Sequence, residues 1–392
     1  MKEWNTVRLG DVIAHRKEFI DIDDLQIYKR PRVQLHAKGI VLRDVVEGAL
    51  IKTKRQQVCQ AGEFLVAEID AKVGGFGIVP EQLGGALVSS HYFLFTIDET
   101  KLDRSFLDYF IRTPAFRDQV EAQGSTNYAA IRPAHVLGYE IPLPPLAEQR
   151  RIVARIEALA AQIDEAKRLR KEAVEEAEAL FGAEAGKRLT DCFPTRRMDE
   201  LCSLVTDGTH QTPRYVEEGG HTFLSAQNVK PFRFMPEVHR KVSTEDYEGC
   251  IRRAAPKRGD VLMTRVGAGI GEAAVMNQDL DFAFYVSLAL MRPDPEFILP
   301  EYLVHWLNSP DGRASSRRET LGKGHSQGNL NLKLLRGFNV PLPPLPEQRR
   351  IVAELDALQA EVDGLKHLQS ETAAELDALL PAILDRAFKG QL

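Results

Sequence analysis

The sequence contains few cysteines and aromatic residues, and it lacks long apolar runs. Only four of the 392 residues are cysteines (Cys59, Cys192, Cys202 and Cys250), and no two of them form a C-x-x-C pair. This scattering argues against a disulfide framework or a zinc site and is typical of reduced thiols in the cytoplasm. No apolar run approaches the roughly 20 residues of a membrane span, and no apolar signal segment follows Met1. We therefore expect a cytoplasmic protein without a membrane partner.

Signatures of common enzymes are also absent. The sequence has no N-P-P-Y or D-P-P-Y tetrapeptide, no G-x-x-x-x-G-K-[ST] phosphate loop, no H-E-x-x-H and no nuclease-like carboxylate–lysine cluster. Two glycine groups, at positions 74, 75 and 77 and at 267, 269 and 271, lack the spacing of a nucleotide-binding loop. They predict tight strand-to-strand turns that let the backbone approach a ligand. We predict a chain with no catalytic residue, metal or cofactor of its own.

A formal net charge of −5 gives no sign of a strongly basic nucleic-acid-binding protein. The acidic excess lies in residues 341–392, where 5 Lys and Arg stand against 9 Asp and Glu. Residues 1–140 carry 18 against 19, and residues 191–340 carry 19 against 19. Neutral domains can bind DNA through one basic face, but they bind it weakly. The charge pattern therefore leaves DNA binding open and suggests help from a partner.

An internal repeat determines the predicted architecture. Residues 142–164 and 341–363 are identical at 16 of 23 positions, with an offset of 199, and both begin with a P-L-P-P-L segment followed by E-Q-R-R-I-V. Weaker similarity links residues 7–13 with 196–202, and residues 62–69 with 259–266. Each half thus has a globular domain, a proline-rich hinge and a helix. Closely matched helices beside divergent domains favour one scaffold that carries two different recognition domains.

The segments after the hinges predict long helices that pair with each other. Apolar or small residues recur at alternating spacings of four and three, which is typical of a coiled-coil seam. They are Ile152, Ile156, Leu159, Ile163, Ala166, Ala173, Ala177 and Leu180, then Ile351, Leu355, Leu358, Val362, Leu365, Leu376, Leu379 and Ile383. Arg170 and Gln369 occupy the same seam position, each after a leucine. Matching registers favour an antiparallel pair within the chain, although packing on the chain's own domains or on a partner remains an alternative. We expect Pro381 to begin a short terminal helix.

We predict an α/β fold with two target recognition domains separated by two long helices, which pair as an antiparallel coiled coil with a pseudo-twofold repeat. Recognition domain 1 covers residues 1–140, and the hinge with the central helix covers 141–190. Recognition domain 2 covers 191–340, and the second hinge and helix cover 341–392. Strand-like runs at 62–69, 86–97, 259–266 and 282–291, with helix-like runs at 104–122 and 299–308, predict one strongly bent sheet in each domain.

Residues 206–215 form the most informative loop. Asp207-Gly208 predicts a turn and Pro213 keeps the following residues extended, so that polar side chains are displayed. Thr209, His210, Gln211 and Arg214 can bond to phosphates or base edges. A turn capped by Asp207, without a binding role, is the alternative. No nucleophile, base and orienting group can be assembled from these residues.

Other candidate DNA contacts lie in basic clusters and in glycine-flanked loops before each hinge. For each of them a plain solvated surface or linker is the alternative. The basic candidates are Lys52, Lys54, Arg55, Lys72 and Arg265, together with Arg252, Arg253 and Arg258 as phosphate contacts. The loop candidates are Ser125, Asn127 and Tyr128 in the first half, and Lys323, His325, Gln327 and Asn329 in the second.

These motifs resemble the specificity subunits of type I restriction-modification systems over essentially the whole chain. The resemblance rests on the duplicated P-L-P-P-L-x-E-Q-R-R-I-V signature, on residues 207–213 with 259–262 and 270–275, and on residues 380–392. The first half lacks the Asp-Gly-Thr-His loop, and its residues 68–80 resemble another type of recognition domain. The resemblance implies that each domain binds a different half of an interrupted double-stranded DNA site, with the helices as a ruler for the spacer.

The resemblance also implies partners. Two modification subunits dock on the repeated scaffold and supply S-adenosylmethionine-dependent adenine methylation, with base flipping. Two restriction subunits that use ATP and magnesium are a further implied partner. Candidate docking residues are Glu148, Gln149 and Arg150, with Glu347, Gln348 and Arg349 in the second copy. The competing hypotheses are a coiled-coil scaffold that bridges proteins without contacting DNA, and a self-sufficient methyltransferase or nuclease, which the missing motifs oppose.

Overall fold

The computed structural model describes residues 4–121, 131–190, 193–318 and 328–392. Contacts between residues divide the chain into two units. The first unit contains residues 1–169 and 370–392, and the second contains residues 170–369. Each unit therefore combines one globular domain with segments of the predicted helices.

The described residues of the first unit form a domain of short strands and helices, which is followed by the proline-rich segment and a long helix, as the repeat predicts. The strands are β1 (Thr6–Arg8), β2 (Ile13–Arg16), β3 (Phe19–Asp21), β4 (Ile27–Val33), β5 (Ile40–Glu47), β6 (Arg55–Val58), β7 (Phe64–Ala67), β8 (Phe76–Ile78), β9 (Leu87–Val88), β10 (Tyr92–Ile97) and β11 (Glu140–Pro142). The helices are α1 (Arg104–Phe110), α2 (Pro114–Glu121), α3 (Pro133–Gly138) and α4 (Leu146–Thr190), the last of which continues into the second unit. The predicted helix at 104–122 is thus two helices, because Pro114 starts a new one.

The second unit follows the same order. Its strands are β12 (Thr195–Arg197), β13 (Cys202–Asp207), β14 (Tyr215–Val216), β15 (His221–Leu224), β16 (Val229–Lys230), β17 (Arg233–Phe234), β18 (Arg240–Val242), β19 (Val261–Thr264), β20 (Ala273–Val275), β21 (Phe282–Phe284), β22 (Leu288–Pro293) and β23 (Asn339–Pro341). Its helices are α5 (Met198–Leu201), α6 (Thr244–Ile251), α7 (Pro300–Asn308), α8 (Pro310–Arg318), α9 (Leu332–Arg336) and α10 (Leu345–Glu371). The last helix of the chain, α11 (Ala373–Phe388), belongs to the first unit.

A four-stranded antiparallel sheet with the same topology lies in each unit. The strand order is β2–β10–β7–β8 in the first unit and β13–β22–β19–β20 in the second. The first strand of each unit also pairs with the strand before the proline-rich segment, β1 with β11 and β12 with β23. The repeat that the sequence predicts is therefore present in the backbone as well.

The elements between the shared strands differ between the units. The first unit has a three-stranded sheet β3–β6–β9 and a hairpin β4–β5, whereas the second has a four-stranded sheet β14–β18–β15–β21 and helix α6. The expectation of one bent sheet per domain is wrong. Turns at 89–92 and 285–288 divide the predicted strands 86–97 and 282–291, and the two parts of each run join different sheets.

The long helices pair antiparallel, as the seams predict. In the second unit, Arg188 of α4 forms an ion pair with Glu354 of α10, and Glu178 of α4 forms one with Lys366 of α10 at 2.6 Å. The residue that comes later in α4 thus contacts the residue that comes earlier in α10, as in an antiparallel pair. In the first unit, Lys167 of α4 pairs with Asp377 of α11 at 2.5 Å. The second helical copy is broken at Thr372, and α11 runs through Pro381 instead of beginning there. Packing of Leu384 and Ala387 in the core of the first unit supports this helix beyond the proline.

The helical contacts repeat with the offset of 199. The pair Lys167–Asp377 has its counterpart in Lys366–Glu178, since 366 and 377 lie 199 residues after 167 and 178. Arg170 and Gln369, also 199 apart, bond to each other's backbone carbonyls. Contacts between equivalent residues of two copies define an isologous interface, here within one chain.

The predicted seam is correct up to Arg170 and only in part after Arg170, where Ala177 is half-buried as predicted. Beyond Arg170, Ala173 and Leu180 are exposed, while Val174 and Phe181, one position further on, are half-buried. In the second copy Leu379 is exposed at 44%, whereas Leu376 and Ile383 are half-buried as predicted. An α-helix of 3.6 residues per turn drifts against a 3.5-residue pattern, so that the packed stripe moves by about one residue over a few turns.

Candidate nucleic-acid interface

The loop after β13 is built on a buried carboxylate. The Asp207 side chain is only 2% exposed and accepts hydrogen bonds from Arg265 (2.7 Å) and Arg253 (3.0 Å). His210 Nε2 lies 2.9 Å from the same carboxylate. Burying a carboxylate is costly unless it is paired, and these groups provide the pairing. Asp207 is thus a structural anchor, while the Arg253 and His210 side chains are 56% and 60% exposed.

Gly208 is required by close backbone contact. A Cβ atom at this position would lie 2.1 Å from the Phe284 carbonyl oxygen, nearer than any side chain can approach. The following residue, Thr209, bonds through its backbone to Phe284 (3.0 Å) and Val286 (2.9 Å). The Asp-Gly-Thr segment is therefore fixed on the neighbouring strand, and the residues after it face solvent.

A groove of about 480 Å³ lies beside this loop. Its lining includes residues 207–213 together with Arg252, Arg253 and the acidic pair Glu245 and Asp246. His210, Gln211 and Arg214 are exposed, and Thr209 is half-buried. Arg214 forms ion pairs with Glu245 and Asp246, which raise the pKa of its guanidinium. The structure brings these four predicted residues together, and their DNA contacts stay a prediction.

Arg265 requires a correction as a DNA-binding candidate. Its side chain is 7% exposed, and besides Asp207 it donates to the backbone oxygens of Leu330 (2.9 Å) and Val286 (3.1 Å) and to the Asn329 side chain (3.1 Å). Burial lowers the pKa of Arg265, and the Asp207 charge opposes that shift. The guanidinium is enclosed by protein acceptors, so it positions the loop rather than contacting a ligand.

The first unit has a comparable cluster that the sequence analysis missed. Glu68, which follows β7 and is 13% exposed, lies 2.7 Å from His91 Nδ1 and accepts a hydrogen bond from Arg132 at 2.9 Å. The His91 and Arg132 side chains are 68% and 65% exposed. No local sequence pattern links these residues, because His91 lies 23 residues and Arg132 64 residues after Glu68 along the chain.

The remaining predicted contacts are scattered. Lys52, Lys54 and Arg55 are exposed, but Lys54 pairs with Asp24 and Arg55 lies over the Phe19 ring. Among the other candidate DNA contacts, Arg252 and Asn329 are exposed and Lys72 is half-buried. Arg258 lies 3.8 Å from Asp279. Six candidates lie outside the described residues: Ser125, Asn127, Tyr128, Lys323, His325 and Gln327.

The glycine turns connect β7 to β8 and β19 to β20, as predicted. Gly74 has a positive φ of 79°, and a Cβ there would lie 2.7 Å from the Ala37 nitrogen. This turn therefore packs on its own chain. At Gly267 (φ 101°) a Cβ would meet nothing within 4 Å, whereas at Gly269 it would lie 2.7 Å from the Glu272 side chain.

Two predicted docking residues are also corrected. The Gln149 and Gln348 side chains are fully buried. Gln149 accepts from the Asp103 amide and donates to the carbonyls of Lys101 and Pro144, all at 2.8 Å. Gln348 makes the equivalent three bonds at 2.8–2.9 Å. These glutamines anchor α4 and α10 to their domains and cannot contact a partner, whereas Arg150 and Arg349 are exposed and Glu148 and Glu347 are half-buried.

Four leucines on the helices are exposed at positions that repeat with the offset of 199. Leu169 and Leu180 of α4 are 51% and 61% exposed, and their counterparts 199 residues later, Leu368 and Leu379, are 63% and 44% exposed. The sequence analysis had assigned Leu180 and Leu379 to the seam.

Other site types find no support among the described segments. No group of three or more His, Cys, Asp or Glu residues there is placed to hold a metal ion, and no helix there is long and apolar enough to cross a membrane. Three of the cysteines, Cys59, Cys202 and Cys250, are free thiols as predicted, and burial raises the pKa of Cys59 to about 11.

Comparisons with known proteins agree with one another. A family profile described as "Type I restriction modification DNA specificity domain" matches residues 1–176 and again residues 195–373. The specificity subunit of type I restriction enzyme EcoBI from Escherichia coli is 26% identical over 78% of this chain and 69% of that protein. The EcoKI specificity subunit of Escherichia coli strain K12 is 25% identical over 73% of this chain and 65% of that protein.

Solved structures give the same result over the full length. A chain determined in work on complex assembly and conformational transition of the type I R-M system matches with a TM-score of 0.74 and 28% identity, covering 100% of this chain and 98% of that one. The HsdS subunit from Thermoanaerobacter tengcongensis matches with a TM-score of 0.62 and 28% identity, covering 100% and 97%.

Proposed function

The chain belongs to the family of type I restriction-modification DNA specificity proteins, and we propose that it recognises an interrupted DNA target with one half-site for each unit. One observation carries this proposal: the units share their central sheet order, while the elements inserted between the shared strands differ. A common scaffold with different insertions suits two recognition domains of different specificity. The half-sites should therefore differ, and the whole target should be asymmetric.

The paired helices determine the number of unread base pairs between the half-sites. An α-helix rises 1.5 Å per residue and duplex DNA about 3.4 Å per base pair. Helix α4 has 45 residues, so it extends for roughly 67 Å. Ion pairs and the contact between Arg170 and Gln369 fix the register of the helices, and thereby the length of the ruler.

Two identical modification subunits bind the repeated helical surface. Equivalent surface at positions 199 apart can accept two copies of one partner in the same way, and the exposed leucines with Arg150 and Arg349 provide that surface. The partners bind S-adenosylmethionine and methylate adenine. Two restriction subunits that use ATP and magnesium join the same assembly in the cytoplasm. The specificity chain supplies no catalytic group, and basic partner surface compensates for its near-neutral domains.

Reconstitution with the cognate modification subunit tests this function. The purified chain alone should transfer no methyl label to DNA, and the mixture should form a complex of one specificity and two modification subunits that methylates adenine. The Leu169→Asp, Leu368→Asp double variant should fail to recruit the partner, while Lys171→Asp, which lies on another side of the same helix, should not. Methylation by the lone pure chain, or a complex without sequence preference, contradicts the proposal. The latter result would favour a scaffold that bridges proteins.

A further inference from the structure

Both units present the same three-part cluster at their solvent surface. It consists of a largely buried carboxylate that holds one exposed arginine and one exposed histidine. In the first unit these are Glu68, Arg132 and His91, and in the second they are Asp207, Arg253 and His210. All four bonds measure between 2.7 and 3.0 Å.

The two clusters do not come from equivalent residues. Glu68 and Arg265 occupy equivalent positions in the two units, because their backbones make the same pair of hydrogen bonds. The Glu68 amide donates to the His91 carbonyl, and the Glu68 carbonyl accepts from the Ile131 amide. In the second unit the Arg265 amide donates to the Ser287 carbonyl, and the Arg265 carbonyl accepts from the Leu330 amide. The carboxylate thus follows β7 in the first unit, whereas in the second it ends β13 and bonds to the residue in the position of Glu68. The two units thus have the same combination of carboxylate, arginine and histidine at the same place in the fold, but build it from residues that are not equivalent. Common ancestry of the two halves does not explain this likeness.

The arrangement suits recognition of a base edge better than binding of a phosphate. In the first unit Glu68 balances the Arg132 charge, so little counterion release is gained at a phosphate. In the second unit Asp207 is shared by Arg253 and Arg265 and offsets only part of their charge. Each carboxylate accepts a hydrogen bond from only one terminal nitrogen of its exposed arginine, Nη1 of Arg132 or Nη2 of Arg253, and this bond orients the guanidinium plane. Arg132 keeps Nε and Nη2, and Arg253 keeps Nη1 together with the second hydrogen of Nη2. Each guanidinium can therefore still offer two N–H groups side by side, which is the geometry that binds guanine O6 and N7 in the major groove.

Pairing of the buried carboxylate does not by itself require an exposed arginine, since buried Arg265 already pairs with Asp207. An ion pair of a mostly exposed arginine contributes little to stability, and Arg132 and Arg253 are more than half exposed. Fixing a long side chain in solvent has an entropic cost that a binding function can justify, because a pre-positioned donor loses less entropy when the ligand binds.

We propose that Arg132 and Arg253 each recognise one guanine, in the first and second half-site respectively, with Glu68 and Asp207 as positioning residues. His91 and His210 bond to the carboxylate oxygen that Arg132 or Arg253 does not use, and so help to orient each carboxylate. The inference rests on the proposed function, because it assigns base contacts within a bipartite site. It predicts that each half-site contains at least one guanine whose recognition depends on a single arginine.

Base substitution at every position of the methylated site tests the inference. The reconstituted complex of the full chain and its modification subunit is assayed on duplexes in which each base pair is varied in turn. Arg132→Ala should reduce discrimination at one guanine of the first half-site by roughly 5- to 150-fold, and Arg253→Ala should do so in the second. The unaffected half-site is an internal control for folding. Arg104→Ala and Arg197→Ala are matched controls, because these arginines are similarly exposed and paired with carboxylates.

Glu68→Gln distinguishes positioning from direct contact. It should weaken discrimination at the same guanine as Arg132→Ala and leave the second half-site unchanged. Unchanged base preference in both arginine variants, or an equal loss of affinity for all sequences, overturns the inference while the proposed function stands. A wild-type bipartite site with no guanine in one half has the same consequence. Absence of any bipartite preference in the wild-type complex refutes the proposed function and the inference with it.

Discussion

Replacement of Gln149 by alanine tests whether one buried glutamine anchors helix α4 to the first domain. The side chain is fully buried and makes three hydrogen bonds to the backbone. Each such bond contributes about 1 kcal/mol net, and a buried group left unpaired costs about 1–3 kcal/mol. Loss of all three should destabilise the first unit by about 3 kcal/mol. The second unit has its own anchor, Gln348, and should keep its stability.

Peptide-resolved hydrogen exchange during urea titration measures this effect unit by unit. Gln149→Ala should accelerate exchange in α1 and at the start of α4, and Gln348→Ala should do so in α7 and α10. Arg150→Ala is the control, since its side chain is 68% exposed and should change stability by less than about 0.5 kcal/mol. If Gln149→Ala had no more effect than the control, or loosened both units equally, the anchoring argument would be refuted.

Three further predictions follow from other contacts. Gly208→Ala should abolish recognition of the second half-site only, because its Cβ would overlap the backbone of the adjacent strand; normal recognition on a panel of half-site variants would contradict this. Deletion of Ala160–Ile163 together with Gln359–Val362 removes about one turn from each helix and should shorten the methylated spacer by one or two base pairs, as methylome sequencing would show. Burial lowers the pKa of His305, whose folded form therefore favours the neutral ring, so that stability should fall as the pH drops below about 6.5. Asp356 bonds to this ring at 2.7 Å and raises its pKa, so Asp356→Asn should steepen that loss in urea titrations between pH 7 and 5.

The helical scaffold could be predicted from the sequence because it depends on local and repeated signals. The hinge prolines, the seam spacing and the offset of 199 determine where the helices begin and that they pair antiparallel. The seam prediction fails at Ala173, Leu180 and Leu379 because a fixed 3.5-residue pattern ignores the drift of a real helix. Pro381 was placed at a helix start on local preference alone, and tertiary packing of Leu384 overrides that preference.

The two clusters of a carboxylate, an arginine and a histidine could be predicted only in part. Asp207 and His210 are three residues apart, and their loop was identified from its turn residues. Arg132 lies 64 residues from Glu68, and no local pattern links them. The roles of Arg265 and Gln149 were misjudged for a related reason, since a polar residue in a motif is equally suited to a binding surface and to a buried anchor. Burial, which only the fold determines, separates these possibilities.

Methylome sequencing of a host that carries this chain with its modification subunit, compared with the same host without the chain, tests bipartite recognition most directly. The account predicts one asymmetric motif, with two different half-sites separated by a fixed number of unread base pairs and adenine methylation in both halves. Loss of the chain should remove the methylation throughout the genome. A continuous or palindromic motif, or methylation that persists without the chain, would contradict the account.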